Sequence, residues 1–262
     1  MIVDSHCHLD DKCFDEDRDE VLSRAREAGV GLLLAIGTGD GPPQLDAAIR
    51  LADRHEWIYA TVGVHPHDAR KATEETFERL ADACSHPKVL AVGEIGLDYH
   101  YDNSPREVQR EVFVRQMQIA REAGKPIVIH TRDAWDDTAG LLQSHWPSGE
   151  AGGIMHCFSG DASQAARSLE LGFHISFAGM LTFARADALR QAAAEAPLDR
   201  LLLETDAPYL TPAPFRKIRR NEPRYVVETA RKLAEIKSVP LEEISAVTTH
   251  NFLRLFDLPA PT

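Results

Sequence analysis

Short runs of β-branched and apolar residues alternate with longer segments in which apolar positions recur every three or four residues, and the pattern persists to about position 205. The short runs predict strands over 2–6, 31–36, 57–63, 89–93, 126–130, 152–156, 173–177 and 200–205. Strands separated by helical segments of this length pair in parallel through crossovers. Eight of them point to an α/β fold of the (β/α)8 TIM-barrel class.

The helical segments carry readable ends. Ser104-Pro105-Arg106-Glu107 predicts an N-cap at Ser104, proline at the first helical position and a capping box closed by Glu107. That helix is expected to run to Gly124, with Val108, Val112, Ile119 and Ala123 forming its apolar stripe and Arg106, Arg110 and Arg121 in solvent. A second helix is expected to end at Gly29. Leu241 to Phe256 predicts a closing helix whose Ile244, Val247, Phe252 and Phe256 cover the barrel flank. Between these elements, Thr211 to Pro223 is rich in proline and in cations and reads as a long loop at the barrel mouth.

With 262 residues, 44% of them hydrophobic, and no linker, repeat or low-complexity run, the expected organisation is one domain over 1–262. The N-terminus lacks a signal-peptide pattern and no apolar run reaches eighteen residues, so the expectation is a cytoplasmic protein without a membrane partner. Cysteines at 7, 13, 84 and 157 show neither metal-ribbon spacing nor the density of a disulfide scaffold and read as reduced thiols. A net charge of -12 argues against a broad electrostatic grip on duplex nucleic acid, so any positive charge used for such a substrate must be local.

Chemistry enters at the strand ends. His6 and His8 stand two apart on the first strand and so share a face, with Cys7 on the other and Asp4 placed to orient a ligand. Glu94 is expected to end the fourth strand, His130 the fifth, His156 the sixth and Asp206 the eighth. In a (β/α)8 enzyme the carboxyl ends of strands distant in sequence build the active site. Four imidazoles and two carboxylates suit two divalent ions sharing a bridging carboxylate. His65, after the third strand, is a candidate substrate contact; His67, His55, His86, His145, His174 and His250 are expected outside the site. Arg132, two residues beyond His130, has a planar guanidinium suited to a phosphate, unless it pairs with Asp133 or Asp136.

In order along the chain, DSHCHLD, GVHPH, GEIGLDY, PIVIHTRDA, HCFSG, ISFAG and ETDAPYLTP resemble the successive motifs of the TatD family of metal-dependent deoxyribonucleases. The resemblance implies that His6, His8, Glu94 and Asp206 hold one metal and that Glu94, His130 and His156 hold the other. It implies a hydrolase that cleaves DNA phosphodiester bonds. The charge of -12, which offers no continuous cationic track for duplex, adds the expectation of end-directed cleavage of single or frayed strands. Glu94 and Asp206 are the expected catalytic residues, with Asp206 at the metal edge taking the proton of the attacking water. Imidazole-rich coordination favours zinc, manganese or nickel, while the family is described as magnesium-dependent. DNA, as strand ends or single strands, is the expected partner, and no obligate protein partner is inferred. The same fold and metals also suit an amidohydrolase-like enzyme acting on an ester, lactone or amide, including deacylation of charged transfer RNA. One block departs from the family pattern: Arg216-Lys217-Ile218-Arg219-Arg220 precedes Asn221 where the family usually carries Arg-Gly-Lys. Its four cations read equally as phosphate contacts or as a solvated face.

Overall fold

The structure, a computed structural model, describes residues 1–146 and 151–259. Among them, β1 (Ile2–Cys7), β2 (Val30–Ala35), β3 (Ile58–Val62), β4 (Val89–Asp98), β5 (Ile127–Arg132), β6 (Gly153–Met155), β7 (Phe173–Phe177) and β8 (Leu201–Leu203) follow one another in chain order through one eight-stranded sheet. The helices are α1 (Arg18–Glu27), α2 (Ala47–Ala52), α3 (Glu74–Ala83), α4 (Arg106–Glu122), α5 (Trp135–His145), α6 (Ala162–Glu170), α7 (Asp187–Glu195), α8 (Val226–Lys237) and α9 (Leu241–Leu255). This is the (β/α)8 class that the alternation predicts. None of the described helices is long and apolar enough to cross a membrane.

The chain forms two compact units, residues 1–34 with 156–262, and residues 35–155. In the first, β1 and β8 are joined beyond the regular ladder. The Asp206 amide donates to the His6 carbonyl (2.9 Å) and the His8 amide to the Ala207 carbonyl (2.8 Å). Asp4 reinforces the junction by accepting from the Thr205 amide (2.9 Å) and hydroxyl (2.6 Å). Helix α9 covers this seam with buried Ile244, Phe252 and Phe256, while Val247 is only half-buried. Its Asn251 amide donates to the carbonyls of Leu198 and Leu201, where a purely apolar face would leave them bare.

In the second unit, β3 to β6 pair in parallel over a core that includes Ile58, Val89, Ile127 and Phe113. Here two expectations need correction. Strand β4 does not end at Glu94: a register shift between Gly93 and Ile95 lets it continue beside β5 to the Asp98–Arg132 pair. Gly96 makes this possible, since its φ is +142° and a Cβ there would lie 2.0 Å from the His130 carbonyl oxygen. Helix α4 also differs. It begins at Arg106 after a Pro105 cap, and the Ser104 hydroxyl instead donates to the His67 carbonyl and accepts from the Arg70 amide. Its inward face is Gln109, Val112, Phe113, Gln116, Met117, Ile119 and Ala120, with Val108 half-buried and Ala123 exposed.

The two buried glutamines explain the shifted face. Gln116 accepts from the Val64 amide (2.7 Å) and donates to the Val64 carbonyl (3.0 Å). Gln109 does the same for Asp98, at 2.8 and 3.0 Å. Each side-chain amide thus replaces a missing ladder partner where a strand runs out, which is where the functional residues of this unit begin.

Candidate metal centre

In the first unit, His6, His156 and Asp206 bring ligand atoms within 4.8 Å of one another. The first two rings stack at 3.7 Å and 14°. His8 joins them, its Nε2 lying 3.3 Å from His6 Nε2 and 3.4 Å from Asp206 Oδ1. His6 is the penultimate residue of β1, whereas His156 directly follows β6 and Asp206 lies three residues beyond β8. Asp206 has φ +56°, a conformation aspartate tolerates better than most residues, which turns the chain as it leaves the strand.

Neighbouring carboxylates orient these rings. Glu204, fully buried, faces His156 Nδ1 at 3.1 Å and accepts from the Cys157 amide at 2.6 Å. Such a partner fixes the ring and leaves Nε2 as the lone-pair donor. Asp4 is instead engaged with Thr205 and the His6 amide, and burial pushes its carboxyl up to about 8. Burial also acts to raise Asp206, but the hydrogen bond from His8 and the charges of His156 and His6 outweigh it and hold the carboxyl below its ordinary value. Asp206 is therefore an anion among imidazoles.

In the second unit, His65, Glu94 and His130 form a corresponding group within 4.8 Å. His130 Nδ1 lies 2.6 Å from Glu94 Oε1, and His65 Nε2 lies 3.6 Å from the same oxygen. Burial lowers the His65 imidazole to about 4, so it is neutral near pH 7. Asp98 meets His130 Nε2 at 3.1 Å and His67 Nε2 at 2.9 Å, while its other oxygen accepts from the amides of His100 and Tyr101. Burial opposes ionisation of Asp98, but these hydrogen bonds prevail and keep it well below the carboxylate range.

The donor set fits divalent cations. Imidazole nitrogens and carboxylate oxygens converge within 4.8 Å in each group, and the ring nitrogens facing away are held by Glu204 and Asp98, as metal-bound histidines require. His156 stands with His6 and Asp206 in this geometry, and His65 stands with Glu94 and His130. Sequence reasoning did not single out Asp98 or the two glutamines. The signal for the glutamines was present, since amides seven apart in a helix share its face and here fall among apolar residues.

Arg132 pairs with neither Asp133 nor Asp136; its guanidinium lies 4.8 Å from the centroid of the Tyr101 ring, which is 55% exposed. The basic segment after β8 divides. Arg220 is spent on Asp17 (2.6 and 2.7 Å) and Glu222 (3.2 Å), whereas Arg216 stacks over Phe183 at 3.7 Å, and Lys217 and Arg219 are exposed. The four cysteines are free.

The sequence profile of the family described as TatD related DNase matches residues 3–257. An uncharacterized metal-dependent hydrolase of Bacillus subtilis, YabD, is 42% identical over 98% of this chain and 99% of its own length. The 3'-5' ssDNA/RNA exonuclease TatD of Cronobacter sakazakii is 37% identical over 93% of each chain. The crystal structure of YjjV, a TatD homologue from Escherichia coli K12, superposes with a TM-score of 0.90 at 33% identity, covering 98% of both chains.

Proposed function

Because the chain belongs to the family of TatD-related deoxyribonucleases and is a metal-dependent hydrolase, we propose that it hydrolyses phosphodiester bonds at the ends of single-stranded or frayed DNA, with two divalent ions. The observation that carries this reading is the presence of an imidazole–carboxylate group with a buried carboxylate in each unit. His6, His8, His156 and Asp206 would hold one ion, and His65, Glu94 and His130 the other. Bound divalent ions supply Lewis acidity, which acidifies a water nucleophile and offsets charge on the phosphoryl oxygens.

The side chains do the rest. Asp206, kept anionic among its imidazoles, accepts the proton of the attacking water as the bond from phosphorus to the departing alkoxide breaks. Glu204 and Asp98 hold the His156 and His130 rings in one orientation throughout, so no reorganisation is needed during the reaction. Arg132, exposed and 4.8 Å from the centroid of the Tyr101 ring, offers its guanidinium to a phosphate of the substrate. Similarity to the 3'-5' ssDNA/RNA exonuclease of Cronobacter sakazakii favours attack from the 3' end and extends the substrate to RNA. Imidazole-rich ligation favours zinc, manganese or nickel for tight binding, with magnesium able to serve at cellular concentration.

The test is digestion of a single-stranded oligonucleotide labelled at one end or the other, with each divalent ion in turn. Early loss of a 3' label and a descending ladder from a 5' label are expected, and a sealed circular single strand should resist. Rapid nicking of the circle would refute end-directed cleavage; no cleavage with any ion would refute phosphodiester hydrolysis.

A further inference from the structure

The segment after Asp206 leaves the site and returns to it within the first unit. Its outward limb starts where the Tyr209 amide donates to the Asp206 carbonyl (2.8 Å), and its return ends at Asn221. Asn221 is fully buried; its amide nitrogen donates to the carbonyls of Thr205 (2.9 Å) and Tyr209 (2.6 Å), and its backbone amide donates to Pro208 (2.9 Å). Both ends of the loop 209–220 are thereby tied within three residues of Asp206. The far side is also anchored. The Ala213 amide donates to Thr182, and Arg216 is held between the Phe183 ring and the Thr211 carbonyl.

Four consecutive residues, Arg216, Lys217, Ile218 and Arg219, are exposed on this anchored loop. Arg216 is already committed to Phe183, and Arg220 is neutralised by Asp17 and Glu222. Lys217 and Arg219 have no ion-pair partner among the described residues, in a chain of net charge -12. Lys217 is four residues from Asn221, a reach of at most about 14 Å even when fully extended. Beside the site, at the start of the loop that carries the cations, Tyr209 is 53% exposed with its ring 6.0 Å from that of His8.

We propose that the loop 209–220 is a grip for one nucleic-acid strand, with Lys217 and Arg219 contacting its phosphates and Tyr209 stacking on a base next to Asp206. This rests on the phosphodiesterase reading above and adds which surface positions the strand. An aromatic ring beside a few local cations suits a single strand, whose bases are open to stacking; a duplex hides its base faces and is gripped through a longer phosphate track. The anchoring of the loop matters because cations on a rigid loop lose little freedom on binding.

The test is fluorescence anisotropy of a short single-stranded DNA oligonucleotide against salt concentration, with chelator present so that nothing is cleaved. For Lys217→Ala with Arg219→Ala, loss of two phosphate contacts should reduce the slope of log affinity against log salt by about 1.4. Tyr209→Leu should leave that slope unchanged and weaken binding by about five- to a hundredfold. Melting temperatures should match the unaltered protein, since none of these side chains is buried. An unchanged slope in the double variant overturns the grip while leaving the phosphodiesterase reading intact. Oligonucleotide binding by the unaltered protein with no cleavage on adding any metal overturns the phosphodiesterase reading alone, and absence of binding overturns the grip.

Discussion

Replacing Glu204 by glutamine tests whether the buried carboxylate serves the metal-binding imidazole or only the fold. Glutamine keeps the oxygen that accepts from the Cys157 amide at 2.6 Å and faces His156 Nδ1 at 3.1 Å. It removes the negative charge, so the bond to His156 becomes a neutral one. A hydrogen bond to a charged group contributes about 1.5–3 kcal/mol and a neutral one about half that, so the loss is about 1–1.5 kcal/mol. If that energy holds His156 with its lone pair presented, affinity for the ion should fall about tenfold, at the lower end of what orienting partners usually supply. The other oxygen, Glu204 Oε2, is buried without a hydrogen-bond partner among the described residues, so the new amide hydrogens add a modest cost in stability. The assay is competition for zinc or manganese against a chromogenic chelator, with thermal melting of the metal-free protein alongside. Unchanged metal affinity with lowered metal-free stability would show that Glu204 acts on the backbone at Cys157 and not through His156.

Four further outcomes are expected. Asp206→Asn keeps an oxygen ligand but removes the proton acceptor, and turnover at saturating metal should fall by roughly a hundredfold to ten-thousandfold; near-normal turnover with both ions bound would move the base elsewhere. Chelation should abolish activity and leave most of the circular dichroism signal, because the clusters sit beyond an apolar core that does not depend on them; loss of most of that signal would contradict this. Gln116→Ala strips both backbone groups of buried Val64 of their partner and should cost about 2–4 kcal/mol in denaturant unfolding, with a loss under 1 kcal/mol counting against the clamp. Asp17 is held near 2, chiefly by its hydrogen bonds from Arg220, so the stability it contributes is complete above its unfolded value of about 4 and is lost as pH falls toward 2. The destabilisation caused by Arg220→Ala should therefore shrink across that window, and a penalty independent of pH would exclude Asp17 as the partner.

Much of this protein is written in local pattern. The period of two in the strands and of three to four in the helices is a property of neighbouring residues, and it was enough to place eight strands in order and to bring His6, His8, His156 and Asp206 to strand ends or just beyond, whereas β5 runs two residues past His130, its expected end, to Arg132. The ordered motifs identified the family for the same reason, since each block lies within a few consecutive residues. What local pattern could not carry was anything decided by a partner distant in the chain. Strand β4 reaches Asp98 because β5 continues beside it and Gly96 admits the His130 carbonyl, so the end of the apolar run at 93 was not the end of the strand. The spacing of Gln109 and Gln116 puts both amides on the inward face of α4, but which backbone groups they serve, at strand ends 11 and 52 residues away, is decided only by the fold. In the basic segment 216–220, composition left phosphate contact and solvated surface equally open. Tertiary structure divided the cations by neutralising Arg220 on Asp17 and Glu222, stacking Arg216 on Phe183 and leaving Lys217 and Arg219 in solvent, because whether a charge is available depends on what folds against it.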